Sequence, residues 1–224
     1  MAKDDVRARI LEAAGPVFAE KGYQAATIRQ ICQEADVNVA GVNYYFGDKE
    51  RLYIETVKRA HQPDDEPAEL PEWPPGTPTE TKLRAFVRGM FAHMLSERVP
   101  WQRQLMRREM LHPTVACREL VQTYIRVRFG QLLGILDEVL PGDTPDYQRH
   151  QVAFSIVGQV MHYHAASEIV TLLVGEAERD EYYDIDVLVE HITRFTLAAL
   201  GLGQPFSQRR AGNSGVLESK ENQR

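Results

Sequence analysis

Apolar residues recur at three- and four-residue spacing over almost the whole chain, and nowhere do they alternate for long with a period of two. The first pattern is the mark of amphipathic helices, and without the second no segment reads as a half-buried strand. The periodicity therefore predicts an all-α fold. Val6, Ile10, Leu11, Ala14, Val17 and Phe18 form the stripe of a first helix. Lys21-Gly22 ends it, because glycine suits the left-handed position just past a helix.

The punctuation that follows narrows the fold further. Thr27 with Gln30 makes a capping box that opens a short second helix ending near Asp36. Asn38 caps a third helix that runs to about Tyr45. Gly47-Asp48 breaks the chain again, and Asp48 caps a fourth helix from Lys49 to about Arg59. Short helices with a turn of about three residues between the second and third describe a helix-turn-helix. Ile28, Ile31, Cys32, Ala35 and Val37 can pack on the first stripe, and Val42 and Phe46, four apart, face the same core. Val39, Ala40, Asn43 and Tyr44 are left pointing outward. Small residues at the start of the third helix allow close approach to base edges, and Asn43 can both donate to and accept from an adenine edge. Thr27 lies at a helix N-terminus, which favours phosphate. Tyr44, Tyr45 and Lys49 suit phosphate oxygens, contacts that position a protein without reading sequence.

Beyond residue 60 the helical pattern continues after a break. Residues 62–78 hold six of the twelve prolines, so an extended loop is expected there. Leu83, Phe86, Val87, Met90, Phe91, Met94 and Leu95 share one face of the next helix, and Pro100 and Pro113 bracket a shorter one. Long helices are predicted over about 114–140 and 145–174, and a last one over about 186–200, for about nine in all. The polar segment 202–224 lacks periodicity and reads as a disordered tail. The domains expected are a three-helix head over 1–48 and a helical effector-binding and dimerisation domain over 49–201.

Charge lends the DNA reading no support. The chain carries 26 basic and 32 acidic residues, net −6. Residues 1–60 have nine of each, so all of the excess lies outside the head. A neutral head can still bind DNA if its basic groups face one way. Cys32 and Cys117 build neither a disulfide framework nor a CxxC zinc pair. No apolar run approaches the roughly 18–20 residues that cross a bilayer, and the first residues lack the apolar core of a signal peptide. A cytoplasmic protein is expected. There is no nucleophile elbow, phosphate-cradling glycine loop or HExxH motif, so no enzyme and no cofactor are expected. His162 and His164 are two apart on a helix and cannot easily share an ion, so no metal is expected either.

The run from Ala26 to Leu52, with Phe18, Gly22 and Tyr23 before it and Tyr44-Tyr45-Phe46-Gly47-Asp48-Lys49-Glu50 at its end, resembles the TetR family signature. The resemblance implies an all-α homodimer with DNA-binding heads and a larger ligand-sensing domain. It places Arg29 and Val39, Ala40, Gly41 and Asn43, beside the cap Asn38, near bases, with Thr27, Tyr44, Tyr45 and Lys49 near phosphates. Asp48 stands where Ser or Asn is frequent and Cys32 where Ala is frequent. Arg107-Arg108-Glu109 followed by Pro113, and Gly158-Gln159, resemble the CecR-like branch, which is linked to sensitivity to antibiotics and other toxic compounds.

The sequence thus predicts a repressor released from a palindromic operator by a small hydrophobic or amphipathic effector. The alternative is a helical small-molecule-binding protein or enzyme on the same fold without operator binding; within regulation, an activator is a second alternative. The Met and aromatic stripe suits either a core or an adaptable pocket. Candidate effector contacts are Met90, Phe91, Met94, Trp101, Leu105, Arg108, Phe129, Leu133, Gln159, His162 and Tyr163. Arg108-Glu109 reads as a buried ion pair, a helix surface or a ligand anchor. Val170, Leu173, Leu188, Phe195 and Ala199 are candidates for a dimer seam.

Overall fold

A computed structural model describes residues 3–61, 72–95 and 99–203. Among them the regular structure is entirely helical: α1 (Lys3–Ala25), α2 (Ile28–Ala35), α3 (Val39–Phe46), α4 (Lys49–His61), α5 (Thr79–Leu95), α6 (Pro100–Leu111), α7 (Val115–Leu120), a π-helical turn (Val121–Ile125), α8 (Arg126–Asp137), α9 (Asp146–Ala165), α10 (Ser167–Val174), α11 (Glu176–Tyr182) and α12 (Ile185–Ala199). Three features depart from the expected layout. The helix expected over 114–140 passes through the π turn between α7 and α8. The run expected over 145–174 leaves helical geometry at Ala166 (φ −106°, ψ 20°) and restarts as α10; neither proline nor glycine marks that break. Helix α11 is almost wholly polar and buries no residue, so it has no apolar stripe to betray it. Of the proline-rich loop, Pro74 to Thr77 closes a turn in which the Thr77 amide donates to the Pro74 carbonyl at 3.1 Å and Gly76 takes φ 84°, the type II geometry that asks for glycine at its third position. Residues 62–71 of that loop, and residues 204–224 of the expected tail, lie outside the described residues.

The chain forms two compact units. One holds α1–α4, α6, α7, the π turn and α8 as far as Gln131; the other holds α5, the remainder of α8 and α9–α12. The second unit buries Leu83, Phe86, Val87 and Phe91 of α5, Ala153, Ile156 and Val160 of α9, and Leu188, Val189 and Ile192 of α12. Ion pairs such as Arg84–Glu190 and Arg149–Asp137 lie on its surface, where each contributes little.

The first unit is built around α1. Ile10, Ala14 and Phe18 are completely buried, together with Ile31 of α2, Val42 of α3, and Leu52 and Val57 of α4. Helix α6 joins the same core through Leu105, also completely buried. Two pairs set how closely α6 approaches α1. A Cβ on Gly15 would lie 2.6 Å from the Trp101 indole, and one on Gly22 would lie 2.5 Å from the Arg108 guanidinium. Both pairs are spaced by seven residues on both helices, so the bulky side chains of α6 lie along the bare stripe of α1. Gly22 is required a second time by its backbone, at φ 73°, ψ 173°, a region that L residues with a Cβ avoid. There the chain turns out of α1, and Arg108 donates to the carbonyls of Glu20 (3.3 Å) and Lys21 (3.4 Å) that the turn exposes.

The neighbouring residue, Glu109, is 2% exposed. Its carboxyl accepts from the Tyr53 hydroxyl of α4 at 2.5 Å, and from the Thr114 hydroxyl and amide at 2.9 and 3.2 Å. Thr114 in turn caps α7. One buried carboxyl therefore joins α4, α6 and the start of α7.

Gly22→Ala is expected to cost about 1–3 kcal/mol in urea unfolding; an unchanged midpoint would refute the close-approach account. Tyr53→Phe removes a donor from a buried acceptor and should cost about 1–3 kcal/mol. Burial, and then the Glu109 bond, raise the Tyr53 pKa above the ordinary 10.0. The folded state then holds the phenolic proton more tightly than the unfolded chain, so this contribution is complete below pH 10 and falls as the pH rises above it. Unfolding midpoints compared between pH 8 and 11 should show the difference between the wild type and Tyr53→Phe shrinking at the alkaline end.

Candidate nucleic-acid interface

The helix-turn-helix is held together by a sequence of local bonds. The Thr27 hydroxyl accepts from the Gln30 amide (3.3 Å) while the Gln30 side chain accepts from the Thr27 amide (3.2 Å), completing the capping box. Helix α2 turns Ile31, Cys32 and Ala35 inward and stops at Asp36, which adopts the left-handed conformation (φ 51°, ψ 52°). Asp and Asn tolerate that region better than most residues with a side chain. The Val37 amide folds back to the Cys32 carbonyl at 3.0 Å. From α1, Arg9 donates to the carbonyls of Ala35 (2.6 Å) and Asp36 (3.1 Å), placing a cation at the negative end of the α2 dipole. The Asn38 carboxamide then accepts from the Gly41 amide at 2.8 Å and starts α3. The turn between α2 and α3 is thus fixed at both ends and from α1.

Helix α3 divides its residues as its spacing requires. Val42 and Phe46 are buried, whereas Val39 is 47% and Tyr44 69% exposed. Ala40 and Asn43 are exposed beside them and Gly41 is partly so. A continuous stripe of small and polar groups therefore faces outward. The Tyr44 and Tyr45 rings meet edge to face with centroids 5.0 Å apart. Arg29 is exposed on the first turn of α2, which packs on α3. Lys49 is less free than its sequence position suggests: its ammonium donates to the Gln24 carbonyl (3.1 Å) and lies 4.9 Å from the centre of the Tyr23 ring. It is held at the end of α1, with donors to spare. Arg9 and the left-handed Asp36 are the residues that sequence reasoning missed here. Asp at a helix end was a visible signal for the second; the reach of Arg9 from α1 left none.

The candidate effector contacts fall in different units. Met90, Phe91 and Met94 lie on α5, Leu133 on α8, and Gln159, His162 and Tyr163 on α9, all in the second unit. Phe91 is buried and His162 exposed. The Gln159 amide group donates to the Ser155 carbonyl of its own helix (3.1 Å). Tyr163 lies among His162, Tyr183 and His191, with ring centroids 5.8–6.5 Å away, and burial pushes its hydroxyl pKa up. Trp101, Leu105 and Arg108 instead belong to the first unit and pack against α1, with Phe129 on the part of α8 in that unit. Arg108 and Glu109 do not pair with each other; each grips a different element. Of the candidate seam residues, Val170 and Leu188 are buried, while Leu173, Phe195 and Ala199 are exposed. Among the described residues no group of three potential ligands could hold a metal ion, and no helix is long and apolar enough to cross a membrane.

Comparison with known proteins agrees with this geometry. Residues 10–56 match the bacterial regulatory proteins of the tetR family, and residues 79–200 match the C-terminal domain of the HTH-type transcriptional dual regulator CecR. The CecR protein of Shigella flexneri is 25% identical over 189 residues, covering 80% of this chain and 84% of that one. The HTH-type transcriptional repressor AcnR of Corynebacterium efficiens is 32% identical over 95 residues, 42% of this chain and 44% of that one. Among solved structures, HlyIIR, a hemolysin II transcriptional regulator, superposes with a TM-score of 0.53 at 20% identity, over 86% of this chain and 99% of its own.

Asn38 carries two separable duties, a cap and an exposed amide beside the outward stripe. Asn38→Ala should cost about 1 kcal/mol of stability. Asn38→Asp keeps the cap and should leave the thermal midpoint within a degree or two, yet it places a negative charge beside the exposed stripe of α3 and should weaken binding to any duplex. Full DNA binding by Asn38→Asp would remove α3 from the interface.

Proposed function

Because the chain belongs to the TetR family of bacterial regulatory proteins and carries a CecR-type C-terminal domain, we propose that it is a repressor that leaves a palindromic operator when a small effector binds. It is a DNA-binding transcriptional regulator by family. The finer reading rests on the exposed stripe of α3, where Val39, Ala40 and Asn43 project from a helix anchored by Val42 and Phe46. Asn43 reads an adenine edge in the major groove. Thr27, Tyr44, Tyr45 and Lys49 hold phosphates and fix the register. Two copies related by a twofold axis would present their α3 helices about 34–36 Å apart, one turn of DNA, so that the operator mirrors the symmetry of the protein. Leu173, Phe195 and Ala199 are offered as part of the seam between the copies.

Release follows from differential affinity. An effector bound by the CecR-type domain favours the arrangement in which the two heads no longer match the operator spacing, and the difference in its affinity for the two arrangements sets the loss of DNA binding. Helix α4 is the natural lever, because the Tyr53–Glu109 bond ties it to α6. The name of AcnR as a repressor supports the sign of regulation.

Selection from random duplexes is expected to return an inverted repeat; recovery of no preferred sequence would defeat the dimeric reader. Asn43→Ala should relax base preference at one position of each half-site. Lys49→Ala should weaken all sequences alike and reduce the slope of affinity against salt by about 1; an unchanged slope would remove Lys49 from the phosphate contacts. A gel shift with the protein's own upstream region separates this reading from a ligand-binding protein that has kept the fold without operator binding.

A further inference from the structure

The line of exposed residues on α3 continues past the end of the helix. Val39 and Asn43 are four apart and exposed. Gly47 follows at the next four-residue step, and its amide donates to the Asn43 carbonyl at 2.9 Å. Gly47 takes φ 82°, a conformation that selects glycine whatever lies over it. What lies nearest its bare side is the stem of Arg51, whose Cδ is 4.0 Å from the point a Cβ would occupy. A guanidinium rooted on the first turn of α4 is in this way carried to the C-terminal end of the outward line of α3.

The two cations that open α4 leave it on different sides, as residues two apart on a helix must. The Lys49 ammonium runs to the end of α1, where the Gln24 carbonyl and the Tyr23 ring take up part of it. Arg51 runs instead to the end of α3, and it is exposed where Lys49 is only partly so. The carboxylates closest to Arg51 along α4 act elsewhere. Asp48 accepts from the Arg51 amide at 2.8 Å, the bond by which it caps the helix. Glu55, one turn ahead, takes Arg7 at 3.0 Å and Lys58 at 3.7 Å. All of these residues lie within the first unit.

We propose that Arg51 is a further contact with the DNA backbone, taking a phosphate at the C-terminal end of α3 that is separate from the phosphate assigned to Lys49. A guanidinium presents paired, coplanar donors that match phosphate oxygens. A cation at the edge of the helix in the groove fixes where that helix lies without reading a base. The start of α4 then holds the backbone at two points, one beside α1 and one beside α3. This inference rests on the reading of α3 as the helix that enters the major groove.

The test is the affinity of the full chain, by fluorescence anisotropy, for its upstream region and for a random duplex of the same length, over about 50–200 mM salt. Arg51→Gln should weaken both complexes alike, by about tenfold per bound copy near ~0.1 M salt, and lower the slope of log affinity against log salt by about 1 per copy. Arg51→Lys keeps the charge and should keep the slope. Lys49→Ala combined with Arg51→Gln should lower the slope by the sum of the two single changes. Arg51→Gln should melt at the wild-type temperature, because the side chain is exposed. An unchanged slope in Arg51→Gln overturns the proposal, and so does a slope in Arg51→Lys as low as in Arg51→Gln. A double variant no different from Lys49→Ala alone would show one shared phosphate and overturn it too. A loss confined to one sequence would make Arg51 a base reader, and a lower melting temperature would assign it to the fold; either result rejects the backbone contact. If the wild type itself binds neither duplex at about 50 mM salt, the regulator reading fails and Arg51 with it. If the wild type binds and the slope of Arg51→Gln is unchanged, Arg51 alone fails.

Discussion

A carboxyl group buried where, among the described residues, no ammonium or guanidinium bonds to it is the interaction on which much of the first unit depends. Glu109 satisfies its oxygens from a tyrosine hydroxyl, a threonine hydroxyl and a backbone amide. Removing any one of these would leave a polar atom without water or partner, which costs more than the bond itself contributes. The three donors come from α4 and from the residue that caps α7, so the positions of those elements relative to α6 are set together. Burial and Glu109 also push the nearby Cys117 thiol pKa up. Arg108, the next residue along α6, faces the other way and closes the end of α1. Adjacent residues of one helix thus hold α1 and α4, the two helices that frame the reading head.

The head itself separates shape from charge. Its basic and acidic residues cancel, so long-range attraction to DNA is weak, and what remains is a helix presented at a fixed angle. The Thr27 box, the left-handed Asp36, the Arg9 bridge and the Asn38 cap all act on the backbone. None of them uses Val39, Ala40 or Asn43, which stay exposed. Rigidity in the frame and freedom on the stripe suit a protein whose selectivity comes from contacts within the groove rather than from attraction at a distance.

Much of the head was legible because its determinants are local. A capping box, a cap asparagine and apolar pairs four residues apart can be recognised within a few positions of one another, and α2 and α3 lie where those signals put them. The features that were not legible depend on residues far apart in the chain. Gly15 and Gly22 look like ordinary helix glycines until Trp101 and Arg108 are laid over them. Arg108 and Glu109 looked like one functional unit, yet they point to different helices. Trp101, Leu105 and Arg108 read as pocket residues because a bulky side chain on an amphipathic helix looks the same whether it faces a ligand or another helix. The break at Ala166 and the short polar α11 carried no signal at all, since neither uses proline, glycine at its start aside, or an apolar stripe. The outward stripe of α3 was legible from its four-residue spacing; how Trp101, Leu105 and Arg108 pack was not, because it is defined by tertiary contacts with α1.

The first unit is discontinuous along the chain: its core needs α6 and α7, and α5 of the other unit intervenes. Family resemblance divides the protein differently, with the matched C-terminal domain beginning at residue 79, so that α6 counts with the sensor by descent and with the reader by packing. Recombination between relatives must respect the second division. A crossover in the proline-rich loop would marry one protein's α1 and α4 to another's α6, setting foreign side chains against Gly15, Gly22 and Tyr53. A functional hybrid therefore needs two crossovers, or a donor whose α6 carries the same bulky and acidic residues at those positions, and successful exchanges of sensing domains should be confined to relatives that share that surface.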